Sequence, residues 1–264
     1  MKMTRSLPRI VPVLDLKAGL AVRAVAGDRA HYRPLRSILH GEPDPIALAR
    51  ACRDALGARE LYLADLDAIA GAPPSVATFD AVLALGLTPW IDAGLRDRAT
   101  LDGLPGSITV VAGLETLDGP GALAAILDAT GPDRLVFSLD LRAGRSLVSP
   151  RADWGTDDPR HLAEIARSLG LRRILLLDLA RVGTGSGVGS PTMLASLAAD
   201  HPSIEWTFGG GVAGPADLDR LARAGASAVL VGSALHDGRI GASEVGRSRE
   251  QRPGSPSPTD REID

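Results

Sequence analysis

The chain has 264 residues, of which 45% are hydrophobic and 23% charged, so it can form one large domain with a sizeable buried core. Its 29 basic and 32 acidic residues give a net charge of -3 and no basic surface for nucleic acid, and its single cysteine cannot form an internal disulfide. The five histidines show no metal-ligand spacing, and no apolar run approaches the roughly 18 residues of a membrane span. We therefore predict a cytoplasmic protein that has no metal or cofactor. We also predict that it binds neither nucleic acid nor membrane.

Short apolar runs alternate along the chain with longer segments of helical periodicity. This alternation is typical of βα units that build a parallel sheet covered by helices. The eight predicted strands are residues 10–14, 60–64, 88–91, 108–112, 134–139, 173–177, 204–208 and 228–231. The six predicted helices are residues 44–56, 75–85, 121–129, 159–169, 191–199 and 215–224.

Eight βα units in about 240 residues predict a closed (β/α)8 barrel, the TIM barrel fold. The alternative is an open, doubly wound sheet, which carries a glycine-rich fingerprint after its first strand. Here the first strand is followed instead by Asp-Leu-Lys-Ala-Gly at residues 15–19. The sequence therefore favours the barrel.

The second half of the sequence repeats the first. Leu-Asp-Leu-Lys-Ala-Gly at residues 14–19 recurs as Leu-Asp-Leu-Arg-Ala-Gly at residues 139–144, and the turn glycine Gly94 after the third strand recurs as Gly211 after the seventh. Strands two and six both end in Asp-Leu, and strands four and eight both end in glycine. These pairs keep the same order and similar separations, which indicates two duplicated four-strand halves closed into one barrel.

The last residues of the chain differ in composition from the rest. They are rich in Arg, Glu, Pro and Ser and nearly devoid of apolar side chains. Such a segment cannot bury enough apolar surface to fold. We predict one barrel domain over residues 1–246 and a disordered tail over residues 247–264.

Five aspartates stand where predicted strands end, at Asp15, Asp65, Asp92, Asp140 and Asp178. Catalytic residues of these barrels lie at such positions, although a carboxylate there can also anchor a loop or helix. Asp15 and Asp140 are special because the repeat places them on opposite sides of the barrel mouth. A substrate across the mouth meets one carboxylate on each side, as the removal of a proton from one atom and its delivery to another require. We predict that this pair is catalytic.

Glycines at two consecutive strand ends predict a phosphate site. Gly209, Gly210 and Gly211 follow the seventh strand, and Gly232 and Ser233 follow the eighth. Residues without a Cβ atom allow backbone N–H groups to approach an anion, and the start of the next helix adds its positive dipole end. These barrels commonly bind phosphate at this place.

Two loops offer weaker signals. Residues 183–189, Gly-Thr-Gly-Ser-Gly-Val-Gly, form either a permissive linker or a lid that contacts an anion through residues such as Thr184. Trp154, one of three tryptophans, lies on the long loop after the fifth strand. It either closes over a planar ligand or pins its own loop.

Taken together, these segments resemble the half-barrel proteins of histidine biosynthesis, namely the ribotide isomerase and its sister, the cyclase subunit of imidazole glycerol phosphate synthase. The resemblance covers residues 10–240. It is carried by residues 13–17, 22–23, 27–28, 64–67, 138–140, 209–212, 231–235 and 238–240.

The resemblance implies roles for individual residues. In the isomerase the first-strand aspartate is the general base and the fifth-strand aspartate the general acid of an Amadori rearrangement, which opens an aminoaldose ribosyl group into an aminoketose. Asp15 and Asp140 match these residues, and Trp154 matches a tryptophan that covers the substrate. The cyclase shares the two acids but works with a partner that supplies ammonia. We therefore expect an isomerase of a small phosphorylated ribosyl compound, as a monomer or small homo-oligomer.

The chain also departs from the family pattern. Asp-Ala-Gly-Leu-Arg at residues 92–96 stands where the family has a second triple-glycine phosphate turn. Val182 replaces an aspartate, Leu177 a threonine or serine, and Tyr62 a histidine. These changes put one phosphate site and part of the proton-handling shell in question.

A carboxylate at Asp92 would repel a phosphate unless Arg23 or Arg96 compensates its charge. Two alternatives to the isomerase therefore stay open. One is a diverged paralogue that uses the same acid pair on a one-phosphate substrate in a pterin or one-carbon cofactor pathway. The other is a non-catalytic subunit that binds a phospholigand, against which the presence of both acids speaks.

Overall fold

The computed structural model describes residues 6–250 of the chain. Within this range eight parallel strands lie side by side in chain order, and the eighth pairs with the first, with Arg9 opposite Ala228. The strands are β1 (Arg9–Lys17), β2 (Glu60–Asp65), β3 (Thr88–Asp92), β4 (Thr109–Gly113), β5 (Leu135–Arg142), β6 (Arg173–Asp178), β7 (Glu205–Gly209) and β8 (Ala228–Val231). The predicted (β/α)8 barrel is confirmed.

Helices cover the outside of the barrel. They are α1 (Pro45–Leu56), α2 (Leu66–Ile69), α3 (Val76–Ala84), α4 (Pro120–Thr130), α5 (Pro159–Ser168), α6 (Pro191–Asp200), α7 (Pro215–Arg223), α8 (Ser233–His236) and α9 (Ala242–Glu250). The unit after β3 has the 3₁₀ turn Arg98–Leu101 where the other units have longer helices. The six predicted helices agree with the structure to within one residue at each end.

Local sequence explains why these helices begin and end where they do. In α1 the carboxylate of Asp44 accepts the N–H of Ala47 at 2.6 Å, and Pro45 occupies the first helical position. Gly57 ends the helix with φ 67°, in the left-handed region that favours glycine.

Two of the eight strands, β1 and β5, run three residues past their predicted ends, and both do so for the same reason. β1 and β5 each run past the barrel rim into an antiparallel hairpin, with the partner strands Leu20–Arg23 and Arg145–Ser146. The turns at residues 18–19 and 143–144 are alike, since Ala18 and Ala143 have φ of 49° and 53° and a left-handed glycine follows each. The repeated hexapeptide is therefore one structural unit, a strand that turns back at the mouth, used once in each half.

The barrel interior follows the alternation of side chains along each strand. Val11 and Val13 of β1 precede Asp15 on the inward face, and Val136 and Ser138 precede Asp140 on β5. A period of two therefore carries both aspartates inward at the C-terminal rim. The larger apolar layer lies between the outer strand faces and the helices.

The N-terminal end of the barrel is closed by Trp90 and ion pairs. The Trp90 side chain is fully buried, and its indole N–H donates to Glu60 at 3.2 Å. The Arg173 guanidinium lies 4.5 Å from the centre of the ring. Arg9 pairs with Glu60 at 2.8 Å and with Glu205 at 2.9 Å. The open end is thus the C-terminal one.

The last helix includes the first four residues of the predicted tail, 247–250. Helix α9 continues to Glu250 because Val245 packs into the core and Glu244 accepts the N–H of Gly241 at the helix start. The rest of the predicted tail, residues 251–264, lies outside the described residues. In the part of the chain that is described, every helix is too short or too polar to span a membrane.

Candidate active site

A cavity opens at the C-terminal mouth of the barrel. Its lining contains both carboxylates and glycine turns. The acids in its lining are Asp15, Asp92, Glu115 and Asp140, and the glycines of the strand β7 and β8 turns are Gly210, Gly211 and Gly232. Both predicted catalytic aspartates thus lie in the same cavity as most of the predicted phosphate site.

The five strand-end aspartates divide by the direction in which they point. Asp15, Asp92 and Asp140 occupy inward positions and line the cavity. Asp65 and Asp178 each stand one residue after an inward position, so their side chains point away from the cavity. The alternation of the strands separates the candidate catalytic acids from the others.

Asp65 and Asp178 anchor the loops that follow their strands. Asp65 accepts the backbone N–H of Ala68 at 3.1 Å and that of Ser75 at 2.8 Å. Asp178 accepts the N–H of Ala180 at 3.2 Å and holds the next loop in the same way. For these two residues the structural interpretation of a strand-end acid applies.

Asp15 is the less constrained member of the acid pair. Within residues 6–250 no hydrogen bond reaches its carboxylate, which is half-buried beside Arg29. Burial raises the pKa of Asp15 from 3.8 to about 7, while the positive charge of Arg29 opposes the rise and the negative charge of Asp92 adds to it. A carboxyl group that titrates near neutral pH is suited to accept a proton.

Asp140 is held more firmly than Asp15, and its pKa is also raised. Its Oδ1 accepts the Ser138 hydroxyl at 2.5 Å, and its Oδ2 accepts the N–H of Glu115 at 3.3 Å. Burial, followed by the negative charge of Glu115, raises the pKa of Asp140 well above 3.8. A buried carboxyl group with a raised pKa is suited to donate a proton.

We expect the raised pKa of Asp15 to reduce stability at neutral pH. The folded state keeps this proton up to about pH 7, whereas the unfolded chain releases it near pH 3.8, so stability falls as the pH rises between these values. The shift corresponds to at most roughly 4 kcal/mol. Unfolding free energies from urea titrations at pH 4 and pH 8 should therefore fall more for the wild type than for Asp15→Asn.

Both proteins contain the other titrating groups, so those that do not interact with Asp15 cancel in this comparison. Asp92 and His236 are present in both the wild type and Asp15→Asn. The raised pKa of Asp92 lowers stability as the pH rises, as that of Asp15 does. Burial lowers the pKa of His236, which has the opposite effect. Parallel pH dependences in the two proteins would contradict the role of Asp15.

Asp92 points into the cavity and is tied to Tyr62. The Tyr62 hydroxyl donates to Oδ2 of Asp92 at 3.2 Å, and the N–H of Gly94 donates to Oδ1 at 3.1 Å. Burial raises the pKa of Asp92 to about 6. A Cβ atom at Gly113 would lie 3.1 Å from Oδ2 of Asp140 and 3.9 Å from Oδ2 of Asp92, so both carboxylates face this glycine.

The glycine turns after β7 and β8 also line the cavity. Gly210 and Gly211 have φ of 105° and 82°, and a Cβ atom at Gly210 would lie 2.4 Å from the carbonyl oxygen of Asp178. Gly209 is not part of the lining, because it lies deeper, where a Cβ atom would contact Leu177 at 2.7 Å. The predicted phosphate site is thus built by backbone that only glycine allows.

Of the two predicted arginines, Arg23 lines the cavity and Arg96 does not. Both terminal nitrogens of Arg23 donate to the carboxylate of Asp237 at 2.7 Å, so its charge is already paired. Arg29, which the sequence analysis missed, reaches into the cavity and pairs with Glu115. Neither Arg29 nor Glu115 belongs to a motif, so the sequence offered no signal for them.

Thr184 and Trp154 also lie outside the lining. The Thr184 hydroxyl donates to the carbonyl of Arg181 at 3.0 Å, while the neighbouring Gly183 lines the cavity. The Trp154 ring stacks on Phe137 with 5.7 Å between ring centres and is buried against the outer face of the barrel. In this structure Trp154 pins its loop.

The fold and this cavity together define a (β/α)8 protein with a candidate ligand site at its C-terminal mouth, lined by the paired acids and by the glycine turns after β7 and β8. The profile of the family described as "Histidine biosynthesis protein" matches residues 9–241. The chain belongs to this family.

Relatives cover nearly the whole chain. A protein of Thermus thermophilus is 34% identical over 240 residues, which is 90% of this chain and 98% of the relative. One of Deinococcus radiodurans is 33% identical over 244 residues, with the same coverage. Both are named isomerases of an imidazole-4-carboxamide that carries two 5-phosphoribosyl groups. An uncharacterized protein of Methanocaldococcus jannaschii is 27% identical over 242 residues, 90% of this chain and 97% of the relative.

Proposed function

We propose that this chain is an isomerase that performs an Amadori-type aldose–ketose rearrangement on a phosphorylated ribosyl compound. The observation that carries the proposal is that Asp15 and Asp140 line the same cavity as the glycine turns after β7 and β8. The isomerase names of the relatives support the same reaction here.

In this reaction the substrate phosphate binds the backbone N–H groups around Gly210, Gly211 and Gly232. Asp140 donates its proton to the ring oxygen of the ribosylamine, the bond from C1 to that oxygen breaks, and the nitrogen lone pair forms a C1=N iminium. Asp15 removes the proton from C2, and the electron pair forms an enolamine. Ketonisation at C2 with protonation at C1 completes the aminoketose, so the rearrangement needs neither oxidant nor reductant.

We expect the protein to catalyse hydrogen exchange at the reacting carbons. The substrates to test are the two-phosphate compound of the relatives and one-phosphate aminoaldoses, which form on mixing ribose 5-phosphate with an arylamine. In D2O, an aminoketose product carrying deuterium at C1 is detected by mass spectrometry. Absence of conversion of both kinds of substrate would contradict the proposed function.

The relatives favour the isomerase over the other hypotheses. A non-catalytic phospholigand-binding subunit would not require a base near neutral pKa beside a protonated acid. Nothing in the relatives' names points to a pterin or one-carbon cofactor pathway. We further propose that the protein acts in the cytoplasm, as a monomer or small homo-oligomer, on a small phosphorylated substrate.

A further inference from the structure

The two halves of the barrel place the same kind of turn after β3 and after β7. Gly94 and Gly211, the third residues of these turns, both have left-handed φ, of 69° and 82°. The first residues differ, since Asp92 ends β3 and Gly209 ends β7. One turn therefore leaves space for an anion, whereas its symmetry mate carries a carboxylate.

The Asp92 carboxylate is fixed in the cavity. The hydroxyl of Tyr62 and the N–H of Gly94 each donate to one of its oxygens, at 3.2 Å and 3.1 Å. The carboxylate cannot turn away without breaking both bonds, and Gly94 has no free N–H for an external anion. The symmetry-related turn thus has its anion-binding donor occupied by its own side chain.

The surrounding charges offset this carboxylate only in part, through the positive charge of Arg29. Glu115 and Asp140 line the same side, and Asp140 shares the space beside Gly113 with Asp92. Among the described residues that line this side, Arg29 is the cation, and its guanidinium is paired with Glu115. A phosphate placed here would meet the carboxylates of Asp92 and Glu115 at short range in a partly dry pocket, where charge repulsion is strong.

We propose that Asp92 is a specificity-determining residue that excludes a second phosphate, so that the substrate has one phosphate at the Gly210 and Gly232 turns and an uncharged or cationic group at Asp92. The proposal rests on the proposed function for the reaction and for the phosphate at the glycine turns. The charge argument at Asp92 is independent of catalysis.

Binding measurements test the proposal with matched probes. The two-phosphate compound of the relatives is compared by calorimetry with its two singly dephosphorylated forms. Every protein carries Asp15→Asn, so that binding is not followed by turnover. The variants added are Asp92→Asn, Asp92→Gly and, as a charge-matched control on the exposed face of α3, Asp80→Asn.

We expect the parent protein to bind at least one singly phosphorylated form at least tenfold more tightly than the two-phosphate compound. Asp92→Asn and Asp92→Gly should each improve binding of the two-phosphate compound at least tenfold and change that of the one-phosphate form less than threefold. Asp80→Asn should change neither. If one Asp92 variant fails to fold, as judged by its melting curve, the other supplies the comparison. Tyr62→Phe, which removes the hydrogen bond from the tyrosine hydroxyl to Asp92, supplies a third variant.

If the parent binds both kinds of probe equally tightly and the substitutions at Asp92 do not change this, the specificity proposal is overturned and the isomerase proposal stays intact. If the preference for one phosphate depends on Asp92 but no aminoaldose is converted to a deuterium-labelled product, the isomerase proposal is overturned and the specificity proposal stays intact. Binding of neither probe by the parent would overturn the phosphate site and both proposals with it.

Discussion

Asn in place of Asp140 is expected to lower kcat/KM by about 1000-fold, because a positioned acid or base contributes roughly 100- to 10000-fold to such reactions. The asparagine keeps the acceptor for the Glu115 N–H but has no acidic proton to give to the ring oxygen. Asp15→Asn should cause a loss of similar size by removing the base. The deuterium assay with a one-phosphate aminoaldose measures both.

Two control variants separate chemistry from folding in this experiment. Asp80→Asn, on the exposed face of α3, should leave kcat/KM unchanged. Ser138→Ala, which removes the hydroxyl that donates to Asp140, should reduce kcat by a smaller factor and move the pH profile. Asp15→Asn breaks no hydrogen bond in the described part of the chain and should remain folded. Retention of a tenth or more of the activity in either aspartate variant would contradict the assigned roles.

Replacing Gly210 with valine is expected to weaken binding of ribose 5-phosphate at least 100-fold. Its φ of 105° is unfavourable for any residue with a Cβ atom, and that atom would lie 2.4 Å from the carbonyl oxygen of Asp178. The turn must move, and its N–H groups move with it. Calorimetric titration with ribose 5-phosphate measures the loss.

The same region offers two matched glycines. Gly214, which precedes α7, has extended backbone and open space around its Cβ position, so Gly214→Ala should bind ribose 5-phosphate like the wild type. In Gly232→Ala the added Cβ atom would contact only Val13, at 3.7 Å, so this variant should fold normally. Its methyl group faces the cavity and should weaken binding of ribose 5-phosphate. Wild-type affinity in Gly210→Val would place the phosphate elsewhere.

Much of the fold could be read from the sequence because its signals are local. Six of the eight strands and all six predicted helices agree with the structure to within one residue, since apolar runs and capping residues such as Asp44 and Gly57 act over a few positions. The extra length of β1 and β5 was not predicted because a hairpin turn with Ala18 in the left-handed region has no distinctive residue at that position.

The candidate acids could also be found from the sequence, although their separation into two groups needed the strand register. Asp15 and Asp65 both stand at a strand end, yet one lines the cavity and the other caps a loop. A difference of one residue reverses the direction of a side chain, and the strand boundary must be known to that accuracy to tell them apart.

The sequence by itself determined the half-barrel repeat, the acid pair Asp15 and Asp140, and the glycine turns, because each depends on residue type at a fixed distance from a strand end. Only the tertiary structure decided that Arg29 and Glu115 enter the cavity, that Arg23 is paired with Asp237, and how Asp92 is held. These contacts join residues far apart in the chain. Their existence depends on how the barrel closes and how its loops fold over the mouth, which no local pattern encodes.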